Sequence, residues 1–139
     1  MGPAAVRILV VDDFEPWRRF VCSELEKRPD WHMIGEVGDG REAVLKSQEL
    51  RPDLILLDLN LPTLNGIEVI RQVRELSPTS EIIVVSETRS AEIAEEAFRR
   101  GARGYVVKSN GASELLPAVE AVLEGKQFIS ERLAGLGLH

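Results

Sequence analysis

The sequence holds one cysteine in 139 residues, Cys22, which excludes an internal disulfide and suits a reducing compartment. Its neighbours are helix formers, so a buried structural thiol is expected there rather than a reactive one. No apolar stretch approaches the roughly 20 residues that span a bilayer, and Met1 to Ala5 lack the basic and long apolar segments of a secretory signal. Val6 stands where a myristoylation signal starting at Gly2 requires Ser or Thr. A cytoplasmic protein without membrane partners is expected. Basic excess is missing too, with 17 Lys and Arg against 23 Asp and Glu, a formal net charge of −6. Direct nucleic-acid binding by this segment is therefore not expected, because phosphate contacts need a Lys/Arg-rich face; Arg99, Arg100 and Arg103 read as solvated charge around a helix end. No long linker, repeat or low-complexity stretch interrupts the chain.

What is present is a regular alternation. Short apolar runs recur at Ile8 to Val11, Met33 to Val37, Leu54 to Leu57, Ile82 to Val85 and Tyr105 to Val107, each about the length of a buried strand. Between them lie helical patterns. The first places Trp17, Phe20, Val21 and Leu25 on one face, and the others cover Glu42 to Leu50, Ile67 to Leu76, Ala91 to Arg100 and Glu114 to Leu123. Right-handed crossovers deposit such helices on both sides of a parallel sheet, which predicts an α/β, doubly wound, five-stranded fold. Turn residues punctuate the scheme at Asp39-Gly40, Gly66, Ser77-Pro78 and Gly101. With 44% hydrophobic residues the chain can bury a core, and one domain is expected over residues 1–127. Residues 128–139, with Gly135 and Gly137, read as a frayed tail or truncated linker.

In an open α/β sheet, ligands bind at the carboxyl ends of the strands. Those ends are polar here: Asp12 and Asp13 follow the first strand, Asp58 the third, Ser86 the fourth and Lys108 the fifth. Each alone is commonly a turn former, a cap or a solvated charge. Their conjunction on one edge of the sheet suggests chemistry. Three converging carboxylates would raise one another's pKa unless cations neutralise them, which implies a hard divalent ion, best Mg²⁺. With that charge and Lys108 nearby, Asp58 becomes a candidate nucleophile toward a phosphoryl group, and Ser86 a donor to an acquired phosphoryl oxygen.

These residues resemble the response-regulator receiver family of the CheY-like superfamily, from Ile8-Leu9-Val10-Val11-Asp12-Asp13 to the last helix. Asp58-Leu59-Asn60-Leu61-Pro62 with Gly66 four residues after the proline is similar to the phosphoacceptor motif, and Lys108 follows Gly104-Tyr105-Val106-Val107 as in receivers. The resemblance implies a (βα)5 flavodoxin-like fold with strand order 2-1-3-4-5, and a phosphoryl group accepted on Asp58 from a histidine kinase or a small phosphodonor. It further implies Mg²⁺ bound by Asp13, Asp58 and the Asn60 backbone carbonyl, with Asp12 acting through water and Lys108 contacting the phosphoryl group. Ser86 and Tyr105 match the switch pair that reshapes the face of the fourth helix, fifth strand and fifth helix. The runs Gly101 to Ser109 and Glu114 to Val119 are similar to the NarL/FixJ subfamily, which precedes a LuxR-type helix-turn-helix domain and implies transcription control and a possible homodimer.

Some positions depart from the common pattern. Leu61 replaces the usual Met, Ser109 replaces a frequent proline, and Glu87 stands where a small residue is usual, its charge placed to repel a phosphodonor or pair with Lys108, or else to face solvent. Rival functions meet obstacles in the residues. A haloacid-dehalogenase-type phosphatase needs an acid two residues after the nucleophile, where this chain has Asn60, and Asp12-Asp13-Phe14-Glu15 is hostile to a flavin phosphate. A phosphorylation-independent interaction or dimerisation module is expected to lack one of Asp13, Asp58 and Lys108, all of which are present.

Overall fold

Six parallel strands form one sheet in the order β2-β1-β3-β4-β5-β6. The structure, a computed structural model, describes residues 5–134. The strands are β1 (Val6–Val11), β2 (Trp31–Val37), β3 (Leu54–Leu57), β4 (Glu81–Ser86), β5 (Gly104–Val107) and β6 (Phe128–Ile129). Helices α1 (Glu15–Leu25), α2 (Gly40–Leu50), α3 (Gly66–Leu76), α4 (Ala91–Arg100) and α5 (Gly111–Leu123) connect them, and α6 (Glu131–Ala134) follows β6.

The central strands are apolar on both faces because both faces are covered. Leu9, Val11, Ile55, Leu57, Ile82, Val84, Tyr105 and Val107 face α2, α3 and α4. Their alternates Ile8, Val10, Leu54, Leu56, Ile83, Val85 and Val106 face α1 and α5. Helix starts follow local chemistry: Asp39, Asn65 and Ser90 each accept a hydrogen bond from the backbone N–H three residues on, which satisfies an otherwise orphaned donor of the first turn. At the far end of α4, Gly101 takes a left-handed φ of 119° and closes the helix.

Two expectations are corrected. The sheet has six strands rather than five, because Phe128–Ile129 adds to the edge of β5 through Phe128 N–H to the Arg103 carbonyl (3.0 Å) and Ser130 N–H to the Tyr105 carbonyl (2.8 Å). Residues 128–134 are thus ordered rather than frayed, and Leu133 of α6 is fully buried. Gly135 and Gly137 lie outside the described residues. Cys22 is only partly buried, on the flank of α1, with its thiol 3.6 Å from Glu26 Oε1. Its desolvation and the Glu26 carboxylate push the thiol pKa up, so the expectation of an unreactive cysteine has a different physical basis.

Candidate functional site

Strand register brings the polar strand ends together. Val11 pairs with Leu57, so the residues that follow, Asp12 and Asp58, are neighbours; Asp58 N–H donates to the Val11 carbonyl (2.9 Å) and Asp12 N–H to the Val37 carbonyl (2.9 Å). On the other side Ser86 pairs with Val107, immediately before Lys108. A tight turn after β1 fixes Asp12 further, because its Oδ1 accepts from Phe14 N–H at 2.8 Å. Arg18 braces the same turn by donating to the Asp12 carbonyl (2.6 Å) while paired with Glu36 (3.0 Å).

Carboxylate oxygens of Asp12, Asp13 and Asp58 lie within 4.8 Å of one another. Asp12 and Asp58 are buried and Asp13 is exposed. Lys108 Nζ stands 2.6 Å from Asp12 Oδ2 and 3.5 Å from Asp58 Oδ2. A cleft of about 340 Å³ opens over this group, lined by Asp13, Phe14, Asp58, Asn60, Glu87 and Lys108. Asn60 N–H reaches Asp58 Oδ1 at 3.4 Å. Glu87 is exposed at the rim of the cleft and does not pair with Lys108, which pairs with the aspartates instead. The Lys108–Ser109 peptide is trans, and Ser109 Oγ accepts from Arg89 (3.3 Å).

The pKa of Asp58 is raised. Loss of hydration is the main cause, Lys108 opposes it, and the neighbouring Asp12 charge adds to it, so burial outweighs the carboxylate repulsion anticipated from the sequence. This donor set suits a hard divalent cation: three carboxylates converge, and Asp12 Oδ2 is buried without an aligned hydrogen bond despite the nearby ammonium.

Ser86 and Tyr105 are buried and do not line the cleft. Ser86 is fully buried and its Oγ accepts from Thr88 N–H at 3.1 Å, while the Tyr105 hydroxyl donates to the Thr88 carbonyl at 2.9 Å. Burial pushes the Tyr105 phenol up to about 12. Several participants escaped the sequence reading. Thr88 joins the two switch candidates, Phe14 lines the cleft, and Trp17, read only as part of an apolar helix face, lies under Lys108. Trp17 sits in the first turn of α1, which begins two residues after Asp13, and that proximity along the chain is the signal that could have placed it near the site.

Residues 8–120 match the model of the response regulator receiver domain. The chain belongs to the response regulator receiver family. Receiver domains are phosphoacceptor signalling modules of two-component systems rather than enzymes. This receiver is 36% identical to the nitrate/nitrite response regulator protein NarL of Escherichia coli K12 over 126 residues, 91% of the chain and 58% of NarL. It is also 36% identical to the transcriptional regulatory protein LiaR of Bacillus subtilis over 131 residues, 94% of the chain and 62% of LiaR. The chain thus spans about three fifths of these curated relatives. A crystal structure of a LuxR-family two-component response regulator from Aurantimonas sp. SI85-9A1 superposes with a TM-score of 0.90 at 34% identity, covering 95% of this chain and 94% of that one. The receiver is therefore related to the NarL/LuxR-type regulators. Among its described residues no helix is long and apolar enough to cross a membrane.

Proposed function

We propose that Asp58 accepts a phosphoryl group from a histidine kinase or a small phosphodonor, with Mg²⁺ held by Asp13, Asp58 and the Asn60 carbonyl and with Asp12 acting through water. The observation that carries this reading is the convergence of three carboxylates and one ammonium at the carboxyl edge of a parallel sheet, beneath an open cleft. Phosphoryl transfer asks mainly for alignment and charge neutralisation. A bound Mg²⁺ would supply positive charge to the transferring oxygens. The chain's own groups do the rest: Asp58 Oδ forms a bond to phosphorus as the donor's P–N bond (a phosphohistidine) or P–O bond (acetyl phosphate) breaks and the imidazole or acetate departs, Lys108 pairs with the new phosphoryl oxygens, and Ser86 Oγ leaves Thr88 to donate to one of them. Glu87 at the rim opposes the approach of an anionic donor and slows turnover.

Withdrawal of Ser86 from Thr88 frees the loop that also holds the Tyr105 hydroxyl, and that loop couples the site to the face formed by α4, β5 and α5. The phosphoacceptor unit is assigned to residues 1–127, with residues 128–134 folded against it as a connection. By likeness to LiaR, a transcriptional regulatory protein, this face controls transcription through an output domain; pairing of two receiver copies and a cytoplasmic location are further parts of the proposal. Acetyl phosphate with Mg²⁺ tests the reading: the intact mass gains one phosphoryl group, and a chelator prevents the gain. Equal labelling with and without chelator would remove the metal from the account.

A further inference from the structure

Lys108 lies over an aromatic face that the phosphoacceptor chemistry leaves without a role: its Nζ is 5.3 Å from the centroid of the Trp17 ring. That distance is within the range of a cation–π contact. The ring is held from two further sides. A Cβ at Gly111 would come within 2.6 Å of Trp17 Cη2, so the first residue of α5 packs directly against the indole. The Phe20 ring centroid is 5.0 Å away on the same face of α1. The indole is thus wedged between α1, which follows Asp12 and Asp13, and the start of α5, three residues after Lys108.

We propose that Trp17 is a positioning residue for Lys108, keeping its ammonium in the site when the carboxylates beside it are engaged by a cation. The charged partners of Lys108 are Asp12 and Asp58, and both belong to the acidic cluster that would hold a divalent ion. A cation there weakens their hold on the amine, because each carboxylate charge is shared. Trp17 attracts the ammonium through its ring quadrupole and offers no oxygen to the metal, so this attraction survives metal loading. Gly111 supports the geometry, since any side chain at that position would displace the ring. The inference rests on the reading of Asp58 as phosphoacceptor and adds a determinant of how fast it is phosphorylated.

The experiment follows phosphorylation of the whole chain by acetyl phosphate and Mg²⁺, by intact mass across donor concentrations, for the unsubstituted protein, Trp17→Phe and Trp17→Leu. Leucine keeps apolar bulk against Gly111 and Phe20 but has no ring face; the maximal rate falls about fivefold, the size of a partly desolvated cation–π contact, with the donor KM little changed. Phenylalanine, which retains a ring, stays within about twofold. Equal losses in the two variants, or none in Trp17→Leu, overturn the proposal. A second readout separates positioning from packing. Trp31→Phe leaves Trp17 as the sole indole of the chain; its emission changes on phosphorylation as the ammonium turns from the ring to the phosphoryl group, and also on Lys108→Met without donor. Full mass gain with unaltered emission overturns the role of Trp17 alone. Failure of the unsubstituted protein to gain mass overturns the phosphoacceptor reading, and the role of Trp17 with it.

Discussion

The hydroxyl of Tyr105 donates to the backbone carbonyl of Thr88 at 2.9 Å, from a side chain with no exposed surface. Tyr105 is the chain's one tyrosine, so its titration can be read directly by ultraviolet absorbance. A phenol pushed up to about 12 binds its proton in the fold at pH values where the unfolded chain, near 10, has lost it. Its contribution to stability is full below about pH 10 and is lost as pH rises through about 12. Tyrosinate absorbance is expected to stay low at pH 11 while the protein is folded, and Tyr105→Phe is expected to flatten the alkaline loss of stability.

Asp58 has the same sign in the acid range. Its carboxyl pKa is raised by burial, so the fold retains the proton above the ordinary carboxylate value, and the stability this provides disappears as pH rises through the elevated pKa. At neutral pH without divalent cation, ionised Asp58 therefore burdens the fold. Asp58→Asn is expected to raise the urea midpoint at pH 7, with the advantage vanishing below the normal carboxylate range. Urea titrations at both pH values check this.

Gly66 touches the phosphoacceptor loop. A Cβ there would lie 2.5 Å from Leu59 Cα and 2.8 Å from the Asp58 carbonyl oxygen, and backbone cannot yield as a flexible side chain can. Gly66→Ala is expected to cost about 1–3 kcal/mol by overpacking and to shift the Asp58 loop. A lower unfolding midpoint together with weaker Mg²⁺ binding by calorimetry is the expected pair of results.

Residues 128–134 are held by Glu114, a buried carboxylate of α5. It accepts from Ser130 Oγ (2.6 Å), Glu131 N–H (3.0 Å) and Asn110 Nδ2 (3.5 Å), while Arg132 Nε donates to Asn110 Oδ1 (2.8 Å). Glu114→Ala strands the buried Ser130 hydroxyl and is expected to cost about 1–3 kcal/mol. Leu133→Ala opens a cavity and is expected to cost about 2–5 kcal/mol. In both variants the Phe128 and Ser130 amides should lose hydrogen-exchange protection ahead of the central strands.

The readable part of this protein is the part in which side-chain type follows burial directly. Strands apolar on both faces announce a covered sheet, and the residues after them, Asp12, Asp13, Asp58 and Lys108, converge because parallel register carries adjacent strand ends to one edge. The sixth strand escaped because Phe128–Ile129 is two residues long and is secured by Glu114, whose polar side chain reads in sequence as helix surface. Thr88 was hidden for another reason: its N–H and carbonyl do the linking, and backbone groups carry no residue signature. Trp17 fits an amphipathic helix pattern so well that its second role under Lys108 required the packing of α5 to appear.

The central claim is that Asp58 is the residue that takes the phosphoryl group. The most direct measurement is the intact mass of the unsubstituted protein and of Asp58→Asn after the same exposure to acetyl phosphate and Mg²⁺. The account predicts one added phosphoryl group on the first and none on the second; labelling of Asp58→Asn to the same level would contradict it.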